Sequence, residues 1–121
     1  MPPPVVALMT DLFLQSRIAE LSGSIGVDTK FVANEKELNV YLSSTGAKLV
    51  ILDLAATEYD PFSCAQLMKQ AKQPPKIFAF FPHVKTALKK RAESVGIDYV
   101  VPNSNLLSKL RTVLISMAES R

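Results

Sequence analysis

Leu49-Val50-Ile51-Leu52-Asp53-Leu54 joins five apolar residues to a single carboxylate. A continuous apolar run of this length reads as a strand buried on both faces, the environment of a parallel strand covered by helices. The carboxyl end of such a strand is where open α/β sheets place their ligand crevice. Asp53 is therefore the first candidate site residue. The other strand ends carry Thr10-Asp11, Phe81-Pro82-His83 and Val101-Pro102-Asn103, so few groups of comparable chemistry accompany it.

Outward from this run, hydrophobic stretches alternate with helical periodicities, the pattern of βα units that build a parallel sheet. Val5 to Met9 reads as a first strand, and Leu14, Ile18, Leu21 and Ile25 form one stripe of the helix that follows, stopped by Gly26. Thr29 to Ala33 is shorter and more polar, as suits a sheet edge. Asn34 with Glu37 resembles a capping box opening a helix that carries Leu38, Tyr41 and Leu42 up to Gly46. After Leu49 to Asp53, a loop through Glu58-Tyr59-Asp60-Pro61 leads to a helix with Phe62, Cys64, Leu67 and Met68 as its core side, ending before Gln73-Pro74-Pro75. Ile77 to Phe81 is the second fully apolar strand. Pro82 or His83 is expected to open a helix with Val84, Leu88, Ala92 and Val95 inward, and Tyr99 to Val101 makes a short fifth strand. Asn103 or Ser104 is expected to cap a last helix whose Leu107, Leu110, Leu114 and Met117 face the sheet.

The first, third and fourth strands are the most apolar, and the second and fifth the least, so the order 2-1-3-4-5 gives each a suitable environment. The expected fold is a single α/β domain: a flavodoxin-like (βα)5 three-layer sandwich around a parallel five-stranded sheet. With right-handed crossovers its switch point lies between strands one and three, which brings Asp11 and Asp53 to one edge.

The chain has 121 residues, 48% of them hydrophobic and 21% charged, which fits one globular core. A formal charge of +3 is too small to argue for nucleic acid without a clustered face. The single cysteine, Cys64, excludes an internal disulfide and reads as helix core in a reducing compartment. Met1-Pro2-Pro3-Pro4 reads as an extended lead-in, and the following apolar run is broken by Asp11 well short of a membrane span. A cytoplasmic protein without an anchor is expected.

These residues resemble the receiver (CheY-like) domain of bacterial two-component response regulators, from Val5 to about Met117. Asp53 after Leu-Val-Ile-Leu stands where receivers carry the phosphoacceptor, and Asp11 matches the second of the paired acids that hold Mg²⁺ in that family. Arg17-Ile18 and Gly96-Ile97-Asp98-Tyr99-Val100-Val101 also fit. Three positions depart: Thr10 replaces the first acid, Phe81 or a neighbour falls at the hydroxyl position after strand four, and Pro102 replaces the lysine after strand five. Phosphotransfer to a carboxylate needs a carboxylate-held magnesium, a hydroxyl to sense the phosphate and an ammonium to balance its charge. Pro82-His83-Val84 and Val101-Pro102-Asn103-Ser104 resemble a divergent, pseudo-receiver branch.

The resemblance implies a stand-alone degenerate receiver that acts in signalling through protein contacts and is not an enzyme. The alternative is an active single-domain regulator, phosphorylated on Asp53 by a histidine kinase with Asp11, Asp53 and water holding Mg²⁺. Lys85, Lys89, Lys90 and Arg91, with Lys109 and Arg111, form the best basic patch. In receivers the surface of helix four, strand five and helix five docks acidic partners or a second copy, so a kinase or output protein, or a homodimer through that surface, is implied; a plain solvated face remains the competing reading. Nucleic acid is disfavoured, since no helix-turn-helix or basic-aromatic interleaving accompanies the patch.

His83, the only histidine, borders the presumed pocket and reads as a helix cap, with a proton-dependent contact as the alternative. A third reading, a flavodoxin-like small-molecule or flavin binder, has neither a tryptophan nor a glycine-rich phosphate loop after strand one. Gly23-Ser24-Ile25-Gly26 ends a helix and is no phosphate loop.

Overall fold

The computed structural model describes residues 2–120. Five parallel strands, β1 (Val5–Leu8), β2 (Thr29–Val32), β3 (Leu49–Asp53), β4 (Lys76–Phe81) and β5 (Tyr99–Pro102), form one sheet in the order β2-β1-β3-β4-β5. The helices are α1 (Leu12–Ile25), α2 (Glu35–Thr45), α3 (Pro61–Lys69), α4 (Thr86–Ser94) and α5 (Leu106–Glu119), the last preceded by a 3-10 turn over Asn103–Asn105. This is the flavodoxin-like arrangement expected from the pattern of apolar runs.

The central strands are apolar without interruption because both sheet faces are covered. Val6, Leu8, Val50, Leu52, Ile77, Ala79 and Phe81 pack with Leu38, Phe62, Cys64, Ala65, Met68 and Ala92 of α2, α3 and α4. The alternate residues Val5, Ala7, Leu49, Ile51, Phe78 and Phe80 pack with Ile18 of α1 and with Leu106, Leu110 and Leu114 of α5. The period of two along each strand thus divides the side chains between two cores. Register is in step across the centre, with Leu8 beside Leu52 and Asp53 beside Phe80.

Local chemistry accounts for several boundaries. Gly26 stops α1 at φ 85°, a conformation open to glycine, and its amide returns to the Ser22 and Gly23 carbonyls. Asn34 Oδ1 accepts from Glu37 N at 2.9 Å, and Glu37 Oε2 accepts from Ala33 N at 3.3 Å, a reciprocal cap displaced by one residue. The proline lead-in is tied down: Tyr41 Oη donates to Pro3 O at 2.5 Å, and Lys48 N donates to Pro4 O at 2.7 Å.

Four expectations are corrected. Neither Pro82 nor His83 opens α4: Lys85 N closes a turn onto Pro82 O at 2.9 Å, and the helix begins at Thr86 without a side-chain cap. Val84 consequently lies in that turn, 73% exposed, instead of on the helix's inner stripe. The 3-10 turn delays α5, so Asn103 and Ser104 lie inside the turn and do not cap the helix; Asn105 stands at the cap position without a side-chain bond. Leu67 is 61% exposed, because the short α3 buries Phe62, Cys64, Ala65 and Met68 and turns the next position outward.

Candidate functional site

The carboxyl ends of β1 and β3 build a recess of about 160 Å³ lined by Met9, Thr10, Asp11, Leu14, Asp53, Ala56, Glu58 and Tyr59. Asp11 enters it as the cap of α1, where its Oδ1 accepts from Leu14 N at 3.1 Å. Gln15 Nε2 donates to Met9 O at 2.8 Å and fixes the same corner. Asp53 follows Leu49 and Ile51 in strand period, so it lies on the α1 side of the sheet. Its Oδ1 accepts from Ala55 N at 2.9 Å, a turn that bends the chain away from the sheet.

The loop from Leu54 to Asp60 is anchored at both ends. Leu54 N donates to Phe80 O at 3.0 Å, and Asp60 caps α3 by accepting from Phe62 N, Ser63 N and the Ser63 hydroxyl. The Ser63 bonds hold the Asp60 carboxyl below its ordinary value. Between these anchors Tyr59 reaches under the sheet edge: its Oη accepts from Asp53 N at 2.9 Å and donates to Leu8 O at 3.0 Å, with Asp53 O a longer alternative at 3.3 Å. One phenol thus joins the ends of β1 and β3, and burial raises its pKa well above the usual range. Burial also raises the Asp53 carboxyl; the Ala55 amide opposes this, while the charges of Glu58 and Asp11 reinforce it.

The sequence candidates separate in space. Thr10, Asp11 and Asp53 meet at the recess. Phe81 does not line it: it is the last residue of β4, 4% exposed in the core beneath α3 and α4. Pro102 pairs with Phe81 at the end of β5, half-buried, and His83 is exposed in the β4–α4 turn. No position at the end of β4 supplies a hydroxyl. Among the described residues, no ion pair reaches Asp11, Asp53 or Glu58, and no group of three or more His, Cys, Asp or Glu is placed to hold a metal. Asp53 Oδ2 accepts no hydrogen bond from a described residue.

Lys85, Lys89, Lys90 and Arg91 are exposed, but Arg91 turns toward α3 and stacks on the Phe62 ring at 4.0 Å. Lys109 and Arg111 are exposed on α5, across the β5 edge from α4; Lys109 borders a groove lined by Phe78, Tyr99 and Val113. The basic residues therefore flank both sides of β5 instead of forming one row. A larger open groove, about 550 Å³, lies at the opposite, amino edge of the sheet beside Lys48, Pro74, Pro75, Lys76 and Met117.

Sequence reasoning missed Glu58 and Tyr59 as site residues. Their signal was faint: an aromatic six positions beyond the strand-end acid, in a segment otherwise readable only as loop.

No family model and no curated protein matches the sequence. Solved structures do match its fold. The receiver domain of response regulator 1452 from Francisella superposes with a TM-score of 0.81 at 14% identity, covering 96% of each chain. The signal receiver domain of a DNA-binding response regulator (merR) from Colwellia psychrerythraea gives 0.82 at 14%, over 95% of this chain and 97% of that one. The beryllofluoride-activated NtrC4 receiver domain, a dimer in solution, gives 0.78 at 9%, over 94% and 97%. At such identities the likeness establishes the receiver fold. Among the described residues, no helix is long and apolar enough to cross a membrane.

Proposed function

We propose that this chain is a degenerate receiver-like signalling module, acting through protein contacts with the phosphorylation chemistry of its fold lost or impaired. The observation that carries this reading is the composition of the Asp53 recess. Its acids, Asp11, Asp53 and Glu58, make no ion pair with a described residue, and the strand ends beyond it offer Phe81 and Pro102. A phosphoryl group on Asp53 would replace the single carboxylate charge by roughly two on the acyl phosphate, at a half-buried position whose carboxyl is already raised by burial, with the charges of Glu58 and Asp11 adding to it, and no ion pair among the described residues offsets them. The divalent site that the recess offers is minimal: Asp11 and Asp53 would hold Mg²⁺ by one or two oxygens and leave the rest of its shell to water. Contacts with another protein, a kinase or an output protein, then carry the signal. The exposed cations on either side of β5 support an acidic partner surface.

The test is amide NMR of the wild type and Asp53→Asn with Mg²⁺ and beryllofluoride. Absence of saturable shifts around Asp11 and Asp53 at millimolar metal is the expected result. Saturable shifts that vanish in Asp53→Asn overturn the reading in favour of an active regulator phosphorylated on Asp53.

A further inference from the structure

The groove at the amino edge of the sheet is built where two connections meet the end of a helix. The turn between α2 and β3, the loop before β4 and the last turns of α5 enclose about 550 Å³. Part of its wall is apolar surface that the core does not fully cover: Val113 and Met117 are half-buried, and Tyr99 is 38% exposed. A volume of this size with apolar walls and a few polar groups is on the scale of a small-molecule site.

Charge at the groove has one sign. No acid lines it, whereas Lys48 and Lys76 do, and their backbones meet where Lys76 N donates to Lys48 O at 2.9 Å. Among the described residues Lys48 makes no ion pair, and Lys76 shares the Asp98 carboxylate with Lys69, at 3.8 and 3.3 Å. Three lysines against one aspartate leave an excess of two positive charges. The Gln73 amide and the hydroxyls of Tyr99 and Ser116, also at the groove, make no hydrogen bond to a described residue, so they add donors that an anion can use.

The backbone donors at this edge are already engaged: Lys48 N and Leu49 N donate to Pro4 O, and Ile77 N donates to Asp98 Oδ2. An extended peptide therefore finds no free strand amide to pair with at these positions, and recognition falls to side chains. We propose that the groove binds a small amphipathic anion, a carboxylate carried on an aromatic or aliphatic body. The body lies against Tyr99, Val113 and Met117, and the carboxylate meets Lys48 and Lys76. β3 runs from this groove to the recess, with Leu49 lining the one and Asp53 the other. The fold thereby gains a ligand site at the end of β3 opposite Asp53, independent of phosphoryl chemistry there.

Amide NMR of the full chain, titrated with 2-naphthoate and with its uncharged analogue 2-naphthamide, tests this. Saturable shifts at Ala47, Lys48, Lys76 and Met117 are expected with naphthoate, with a dissociation constant on the order of 1 mM and no response at Asp53. Naphthamide binds at least about fivefold more weakly, and Lys48→Gln weakens naphthoate by a similar factor, since each removes one partner of the charge contact. Ser116→Trp, a bulky group on an exposed wall, abolishes binding, whereas Lys109→Gln, outside the groove, leaves it unchanged. The amide spectrum of each variant reports its folding directly. Lysines that only face the carbonyl ends of α2 and α5 would hold both probes alike or neither. Equal affinity for the two probes, shifts centred elsewhere, an unaffected Lys48→Gln, or no saturable shift at about 10 mM naphthoate overturns the proposal.

Discussion

The Tyr59 hydroxyl accepts the Asp53 amide proton at 2.9 Å and returns its own proton to Leu8 O at 3.0 Å, so the strand end that carries the acid is pinned by a loop residue. β1 and β3 are parallel neighbours whose ladder runs out at Leu8 and Leu52. Beyond that point the phenol replaces the missing strand partner, satisfying groups that would otherwise be buried and unpaired.

Tyr59→Phe removes an acceptor and a donor while keeping the ring. The Asp53 amide and the Leu8 carbonyl lose this partner, at a cost of about 1–3 kcal/mol. Urea denaturation reads that loss directly, and hydrogen exchange at the Asp53 amide should quicken more than at Ile51. A variant as stable as the wild type, with Asp53 still protected, would mean that water replaces the phenol at no cost.

Asp53→Asn should stabilise the protein at neutral pH. The folded state raises the Asp53 carboxyl, chiefly by burial, with Glu58 and Asp11 adding to the effect. A group raised in the folded state favours folding fully below its unfolded value, about 4, and that contribution is lost as pH rises through the folded value. The melting temperature of the variant should therefore exceed that of the wild type at pH 7, with the difference closing as pH falls toward 4. Equal melting at both pH values would remove ionised Asp53 as a source of strain.

Asp98→Ala should be destabilising although the residue is far from the recess. Its Oδ2 accepts from Ile77 N at 2.8 Å, and Lys69 and Lys76 approach the same carboxylate at 3.3 and 3.8 Å. This one side chain ties the start of β4 to the approach to β5 and the end of α3. The lysine pairs are partly exposed and contribute little, so the expected loss of about 1–3 kcal/mol comes mainly from the unpaired Ile77 amide. Asp98→Asn, which retains an acceptor, should recover most of it, and thermal denaturation of the pair separates the two contributions.

Cys64 should resist alkylation in the native protein. Burial, with Glu35 adding to it, pushes the thiol up to about 12, so almost no thiolate exists at neutral pH. Labelling by a maleimide should occur at the rate of opening and accelerate in urea in step with unfolding. Rapid labelling in buffer would place Cys64 in a mobile segment and not in the core of α3.

The two-sided burial of the strands was written locally, which is why the fold was legible. Leu49 to Asp53 needed no correction, and the ranking of the five runs by apolarity placed β1, β3 and β4 in the middle. Asp11 and Asp53 met at one recess because that order and the handedness of the crossovers leave them nowhere else. Less was legible at helix starts. Val84, Leu88, Ala92 and Val95 satisfy helical spacing, yet Pro82 first closes a turn, and periodicity alone does not distinguish a residue inside the helix from one just ahead of it.

Sequence by itself determined the layers, the strand order and the edge that holds the acids, because burial of alternating side chains depends on residues a few positions apart. Tertiary structure alone decided that Tyr59 joins Leu8 to Asp53, that Arg91 leans on Phe62, and that Leu12, Phe13 and Val84 stand exposed on one edge. Each of these depends on where a side chain from one loop or helix ends relative to another element, and no local pattern encodes that distance.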